Sequence, residues 1–177
     1  MCAERLHFQP GQMDYNAMLA AEHVGRYLFA APHCAGKRVL DVACGEGYGA
    51  FMLARCGAAE VVGVDIAEDA IAVARQRFAR DGVEFLVGDA LDLPGLLGGR
   101  PPFDVIVSFE TIEHVPDPRR FLEGIRRVLA PGGVILVSCP NDGLEAERGI
   151  TNPFHARTYT LAEFQEMTSG VLGPPAR

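Results

Sequence analysis

Three features of the amino-acid sequence predict an α/β fold with a doubly wound parallel sheet and helices on both faces. From Arg38 onward, short β-branched runs alternate with longer stretches of helical period. A glycine-rich turn, CGEGYG at positions 44–49, separates the first run from the helical stretch behind it. Acids then close the next two runs, at Asp65 and Asp89. Right-handed crossovers on such an alternation wind a sheet whose ligands bind beyond the carboxyl ends of its strands.

The elements follow in order. Tyr15 to Ala31 carries a helical apolar pattern and precedes the first strand, placed to cover the sheet edge or the site. Five runs have the short, two-sided apolar character of buried parallel strands: Arg38 to Ala43, Glu60 to Asp65, Val83 to Val87, Asp104 to Phe109, and Val134 to Ser138. Tyr48 to Cys56 forms the first crossover and Glu68 to Arg80 the second, with Ala70, Ile71, Ala74 and Phe78 on one face. The third crossover holds Leu91, Leu93, Leu96 and Leu97 before Gly98, Gly99, Pro101 and Pro102, which predicts a short helix and a loop. Pro118 to Leu129 aligns Phe121, Leu122, Ile125 and Val128 in one stripe and stops at Pro131, Gly132 and Gly133.

Bulk properties narrow the function classes. At 177 residues with 49% hydrophobic content, the chain has the size of one globular domain. Its net charge of -7 offers no broad basic face for a nucleic-acid backbone. No apolar stretch reaches membrane-spanning length, and the first residues lack the pattern of a secretory signal, which leads to a cytoplasmic expectation. The 5 cysteines are scattered without a CxxC pair, as free thiols in a reducing compartment are. Cys44 sits in the glycine turn, but no base lies near it in sequence, so a small apolar filler is expected there.

The glycine turn carries the chemistry. Glycine tolerates a left-handed backbone and lets a ligand approach without a Cβ in the way. The run VLDVACGEGYGA, from Val39 to Ala50, resembles motif I of class I S-adenosylmethionine-dependent methyltransferases, a Rossmann-like family, with Ala43 at the position of the usual first glycine. That resemblance implies adenosylmethionine as cofactor. It assigns Asp41 to the amino end of the methionine moiety, the turn residues Ala43, Gly45 and Gly47 to cofactor binding, Asp65 to both ribose hydroxyls, Ile66 to the adenine face, and Asp89 with Ala90 to the adenine amino group. Asp89 has a second reading as the cap of the following helix. Gly45, Gly47 and Ala50 also satisfy the dinucleotide fingerprint, so an NAD-linked enzyme is a competing reading. Asp41 argues against it, because a carboxylate there repels a diphosphate and tolerates a cationic sulfonium.

The loop after the fourth strand, FETIEHVPDP, gathers Glu110, Glu113 and His114 where the family's acceptor meets the methyl group. Transfer to a hydroxyl needs alignment and removal of one proton, which makes His114 the candidate base with Glu110 beside it. The spacing ExxEH, with His155 in NPFHARTYTLAEF, also resembles ubiquinone-biosynthesis O-methyltransferases and RNA 3'-end ribose methyltransferases. In the latter such residues hold a divalent ion, so Glu110, Glu113, His114 and His155 are expected as a metal shell for an ion such as Mg. The alternative bonds His114 to backbone and makes Glu113 a helix cap. NPFH with YTLAEF, and EHVGRYLFA in the first helix, resemble bacterial methyltransferases associated with cell-surface polysaccharide enzymes, which implies a small-molecule or saccharide acceptor.

The expected organisation is one domain, with residues 1–36 as a helical cover, 37–141 as the cofactor core and 142–177 as a shortened acceptor-side segment. Family members end on an antiparallel strand pair for which the sequence after Met167 leaves no room. The fifth strand is then an exposed edge that invites homo-oligomerisation. A cofactor-binding module with little activity is the second functional class that this shortening admits.

Overall fold

The computed structural model describes residues 17–141 and 157–175. In chain order its elements are α1 (Ala17–Cys34), β1 (Arg38–Val42), α2 (Tyr48–Arg55), β2 (Glu60–Asp65), α3 (Glu68–Phe78), β3 (Val83–Val87), a 3-10 turn (Ala90–Asp92), α4 (Leu93–Leu96), β4 (Phe103–Phe109), α5 (Pro118–Val128), β5 (Leu129–Ser138) and α6 (Leu161–Leu172). The strands form one parallel sheet in the order β3-β2-β1-β4-β5. Winding therefore reverses after β3, and the switch point lies between β1 and β4. Asp41 pairs in register with Gly63 on one side and Val107 on the other, directly beside that point.

Strand alternation divides the core between the two faces of the sheet. Leu40, Val42, Val62, Val64 and Ile106 pack with Leu93, Phe121, Leu122 and Ile125 on one face. Val39, Val61, Val105 and Val107 pack with Tyr27, Ala30, Leu53, Ile71 and Ala74 on the other. Asp41, two residues beyond Val39, shares the face covered by α1 and α2. In α5, Phe121, Leu122 and Ile125 are fully buried, each worth roughly 1.5–3 kcal/mol of transfer free energy. Pro118 opens this helix, and the Asp117 carboxylate accepts the Arg120 amide at 3.0 Å. Asp117, not Glu113, is thus its cap.

The differences from the sequence reading sit at element ends. β5 starts at Leu129 rather than Val134, because Leu129 pairs with Phe103 before the register shifts to Val105 against Val134. The intervening Ala130-Pro131-Gly132-Gly133 is absorbed as an irregularity in the strand, where proline's missing N–H costs no ladder bond. α3 stops at Phe78 rather than Arg80, since Ala79 is extended and Arg80 bridges Val83 across a turn at Gly82. α6 runs past Met167 to Leu172, opened by a Thr160–Glu163 capping box and anchored by buried Val171. The third crossover is the short helical piece expected. Among the described residues no helix is long and apolar enough to cross a membrane.

Candidate active site

A cavity of about 440 Å³ opens at the carboxyl ends of β1, β2, β3 and β4, on the switch point. Its floor is the turn after β1. Ala43 (φ 61), Gly45 (φ 54) and Gly47 (φ 84) all lie in the left-handed region, so the Ala43 backbone is strained where glycine would not be. The glycines divide in purpose. A Cβ on Gly45 would project into open space, within 4 Å of nothing, so this backbone faces the cavity bare. A Cβ on Gly47 would fall 2.6 Å from the Phe85 ring, and one on Gly49 only 1.9 Å from the Tyr27 ring. Those two glycines allow close packing of α2, and only the first offers a surface to a ligand.

Asp65 ends β2 and ties the turn together. One carboxylate oxygen accepts the Gly45 amide at 2.8 Å and the other the Ala67 amide at 2.9 Å, which leaves each oxygen further acceptor capacity toward the cavity it lines. Ile66, next in sequence, lies on the cavity wall with 68% of its surface exposed, an apolar side chain that a planar ligand would cover. Asp89 accepts the Leu91 amide at 2.8 Å as the cap of the 3-10 turn, and together with Ala90 it also lines the cavity. The capping and ligand-facing readings of Asp89 are compatible in this geometry.

Asp41 stands apart from these. It is 1% exposed, and the Tyr27 hydroxyl lies 3.2 Å from both of its oxygens, so the tyrosine rather than the carboxyl forms the cavity wall. Burial pushes the Asp41 carboxyl up to about 7; Tyr27 and the Ala50 backbone pull it down, and the charge of Asp65 adds to the rise. A positive charge brought into the cavity would favour its ionised form.

On the far side, Glu110 directly follows β4 at φ 52, the second non-glycine residue in the left-handed region. Its carboxylate pairs with the Arg26 guanidinium at 3.0 Å and accepts the Ser138 hydroxyl at 2.7 Å, while its amide donates to the Ser138 carbonyl. His114 lines the cavity, its amide bonded to the Thr111 carbonyl. Nε2 of His114 lies 3.8 Å from Oε1 of Glu113, whose side chain is fully buried. The expected metal shell of Glu110, Glu113, His114 and His155 is not assembled by these groups. Glu110 is engaged by Arg26 and Ser138, Glu113 is buried in the interior, and among the described residues no three His, Cys, Asp or Glu side chains converge as a metal site. His155 lies outside the described residues.

Helix α1 contributes three residues that sequence reasoning did not assign to the site. His23 and Tyr27 line the cavity, His23 with its Nδ1 3.3 Å from the Tyr48 hydroxyl, and Arg26 reaches Glu110. Their i, i+3, i+4 spacing was a visible signal that they share one helical face.

A family model described as a methyltransferase domain matches residues 33–169. A protein from Mycolicibacterium smegmatis named as an S-adenosylmethionine-dependent methyltransferase is 41% identical over 89% of this chain and 60% of its own length. A ubiquinone biosynthesis O-methyltransferase from Dinoroseobacter shibae is 36% identical over 75% of this chain and 52% of its own. This chain thus spans about half to three fifths of the curated relatives it matches. Among solved structures, a chain of the complex between the Haloferax volcanii Trm112 methyltransferase activator and a methyltransferase candidate superposes with TM-score 0.68 and 28% identity, covering 85% of this chain and 65% of that one. The [4+2]-cyclase SpnF, at TM-score 0.69 and 24% identity over 96% of this chain and 64% of its own, shares the fold alone, which hosts more than one chemistry.

Proposed function

This chain belongs to the methyltransferase domain family, and on that premise we propose that it transfers a methyl group from S-adenosylmethionine to an oxygen of a small hydroxylated or saccharide acceptor. One observation carries the reading: Gly45, Asp65, exposed Ile66 and His114 all face a single cavity at the switch point. The cavity suits the cofactor. Gly45 leaves open space above its backbone, Asp65 has acceptor capacity left, and Ile66 is an uncovered apolar platform.

When bound, adenosylmethionine supplies an electrophilic methyl group on a positively charged sulfur. Asp65 would accept the ribose hydroxyls, Ile66, Asp89 and Ala90 would hold the adenine, and Ala43 with Gly45 would border the methionine end. Asp41, behind Tyr27, would be driven toward its ionised form by the cation and favour it in return. His114 takes the proton of the acceptor hydroxyl, with Oε1 of Glu113 3.8 Å from its Nε2. Similarity to ubiquinone biosynthesis O-methyltransferases supports oxygen as the methylated atom. Residues 1–36, 37–141 and 142–177 are proposed as cover, cofactor core and acceptor side. The scattered cysteines, without a CxxC pair, support a cytoplasmic setting. Self-association along β5, at the sheet edge, belongs to the same proposal.

The test is a labelled methyl-donor assay of the purified chain across hydroxylated metabolites and sugar nucleotides. Label in an acceptor oxygen supports the reading, and label on nitrogen or carbon refutes oxygen transfer. Binding of the donor without transfer to any acceptor favours a binding module.

A further inference from the structure

We infer that the N-terminal half of α1 is a cover held on the cavity by polar bonds, and that Arg26 and Glu110 are the positioning residues that keep it closed. The inference rests on the cavity being the methyl-transfer site. Its observations are independent of any bound ligand.

The two halves of α1 are held differently. Tyr27, Ala30 and Cys34 are buried against the sheet, whereas no residue from Ala20 to Arg26 is buried. Among its described side chains, from Ala20 to Arg26, there is no apolar anchor comparable with the Phe121, Leu122 and Ile125 stripe of α5. Its described contacts to the rest of the fold are polar: His23 to the Tyr48 hydroxyl at 3.3 Å and Arg26 to Glu110 at 3.0 Å, with Tyr27 bonded to Asp41 where the buried half begins. Tyr48 opens α2, while Asp41 belongs to β1 and Glu110 directly follows β4, so the helix bridges the switch point. A segment with few buried apolar contacts opens at low free energy, and its polar bonds set the population of the closed form.

Glu110 also sits where the polypeptide is strained. Its φ of 52 is maintained by three contacts, from Arg26, the Ser138 hydroxyl and the Ser138 carbonyl. The next turn carries Thr111 to His114. Glu110 therefore fixes both the cover and the course of the chain toward the candidate base, acting through other residues and not on the acceptor itself.

Hydrogen exchange read by mass spectrometry tests this on the full chain. Glu110→Gln and, separately, Arg26→Gln should speed exchange in residues 20–26 by about tenfold, the effect of losing one charge-assisted bond. Residues 39–42 of β1 should exchange as in the parent. The charge swap Arg26→Glu with Glu110→Arg should restore protection of 20–26 to within about threefold. Glu110→Gln should also keep both limbs of the kcat pH profile, which loss of a general base would not. Unchanged exchange in both single variants, or no recovery in the swap, overturns the inference. Arg26→Gln leaves the strained turn intact, so it decides the matter if Glu110→Gln fails to fold. A parent protein that shows the exchange pattern but transfers no methyl group would refute the functional reading and leave the cover standing.

Discussion

The Tyr27 hydroxyl stands 3.2 Å from both carboxyl oxygens of Asp41, and this contact joins the cover helix to the first strand at the switch point. Because burial raises the folded-state pKa of Asp41 to about 7, from about 4 in an unfolded chain, the native state keeps a proton that the unfolded state gives up. The Asp41 contribution to stability is then fully present below about pH 4 and is lost as pH rises to about 7. Denaturant titrations of the ligand-free protein should show this fall, and Asp41→Asn should remove it. Tyr27→Phe, lacking the hydrogen bond that lowers this pKa, should move the upper end of the fall to higher pH.

Gly47→Ala and Gly45→Ala should fail in different ways. At Gly47 the new Cβ meets the Phe85 ring at 2.6 Å in a backbone of φ 84, and a cost of about 1–3 kcal/mol should lower the melting temperature by about 3–10 °C. At Gly45 the methyl group meets no protein atom, so only backbone strain of about 1–2 kcal/mol reaches stability. Adenosylmethionine affinity should fall about tenfold or more in Gly45→Ala, because the methyl group occupies the ligand's approach. Calorimetric titration beside thermal melts checks both; equal affinity of Gly45→Ala and the parent contradicts the ligand-facing role.

His114→Ala should lower turnover by about a hundredfold, with adenosylmethionine affinity within about twofold because separate residues hold the cofactor. Single-turnover kinetics beside a binding titration separate the two quantities. Undiminished turnover would remove His114 as the base.

Much of the fold was legible because strands and crossovers announce themselves by period and length. Glu60–Asp65 and Val83–Val87 coincide with the predicted runs. The start of β5 was not legible, since Pro131-Gly132-Gly133 has the composition of a stop and is kept in the strand only by pairing with β4. In the site, Gly45, Asp65 and Ile66 follow from strand ends, where local sequence fixes position. The roles of His23, Arg26 and Tyr27 depend on how α1 crosses the sheet, which no local pattern encodes. The same limit applied to Glu110: a carboxylate near a histidine in sequence reads as a ligand or base, and its pairing with Arg26 and Ser138 is visible only in the fold.

The most direct test of the central claim is calorimetric titration of adenosylmethionine into the purified chain and into Asp65→Ala. The parent should bind with one-to-one stoichiometry. The variant should bind about 1.5–3 kcal/mol more weakly, having lost the charged acceptor for two ribose hydroxyls. Folded parent protein that takes up no adenosylmethionine, or an Asp65→Ala variant with undiminished affinity, would contradict the assignment of this cavity to the cofactor.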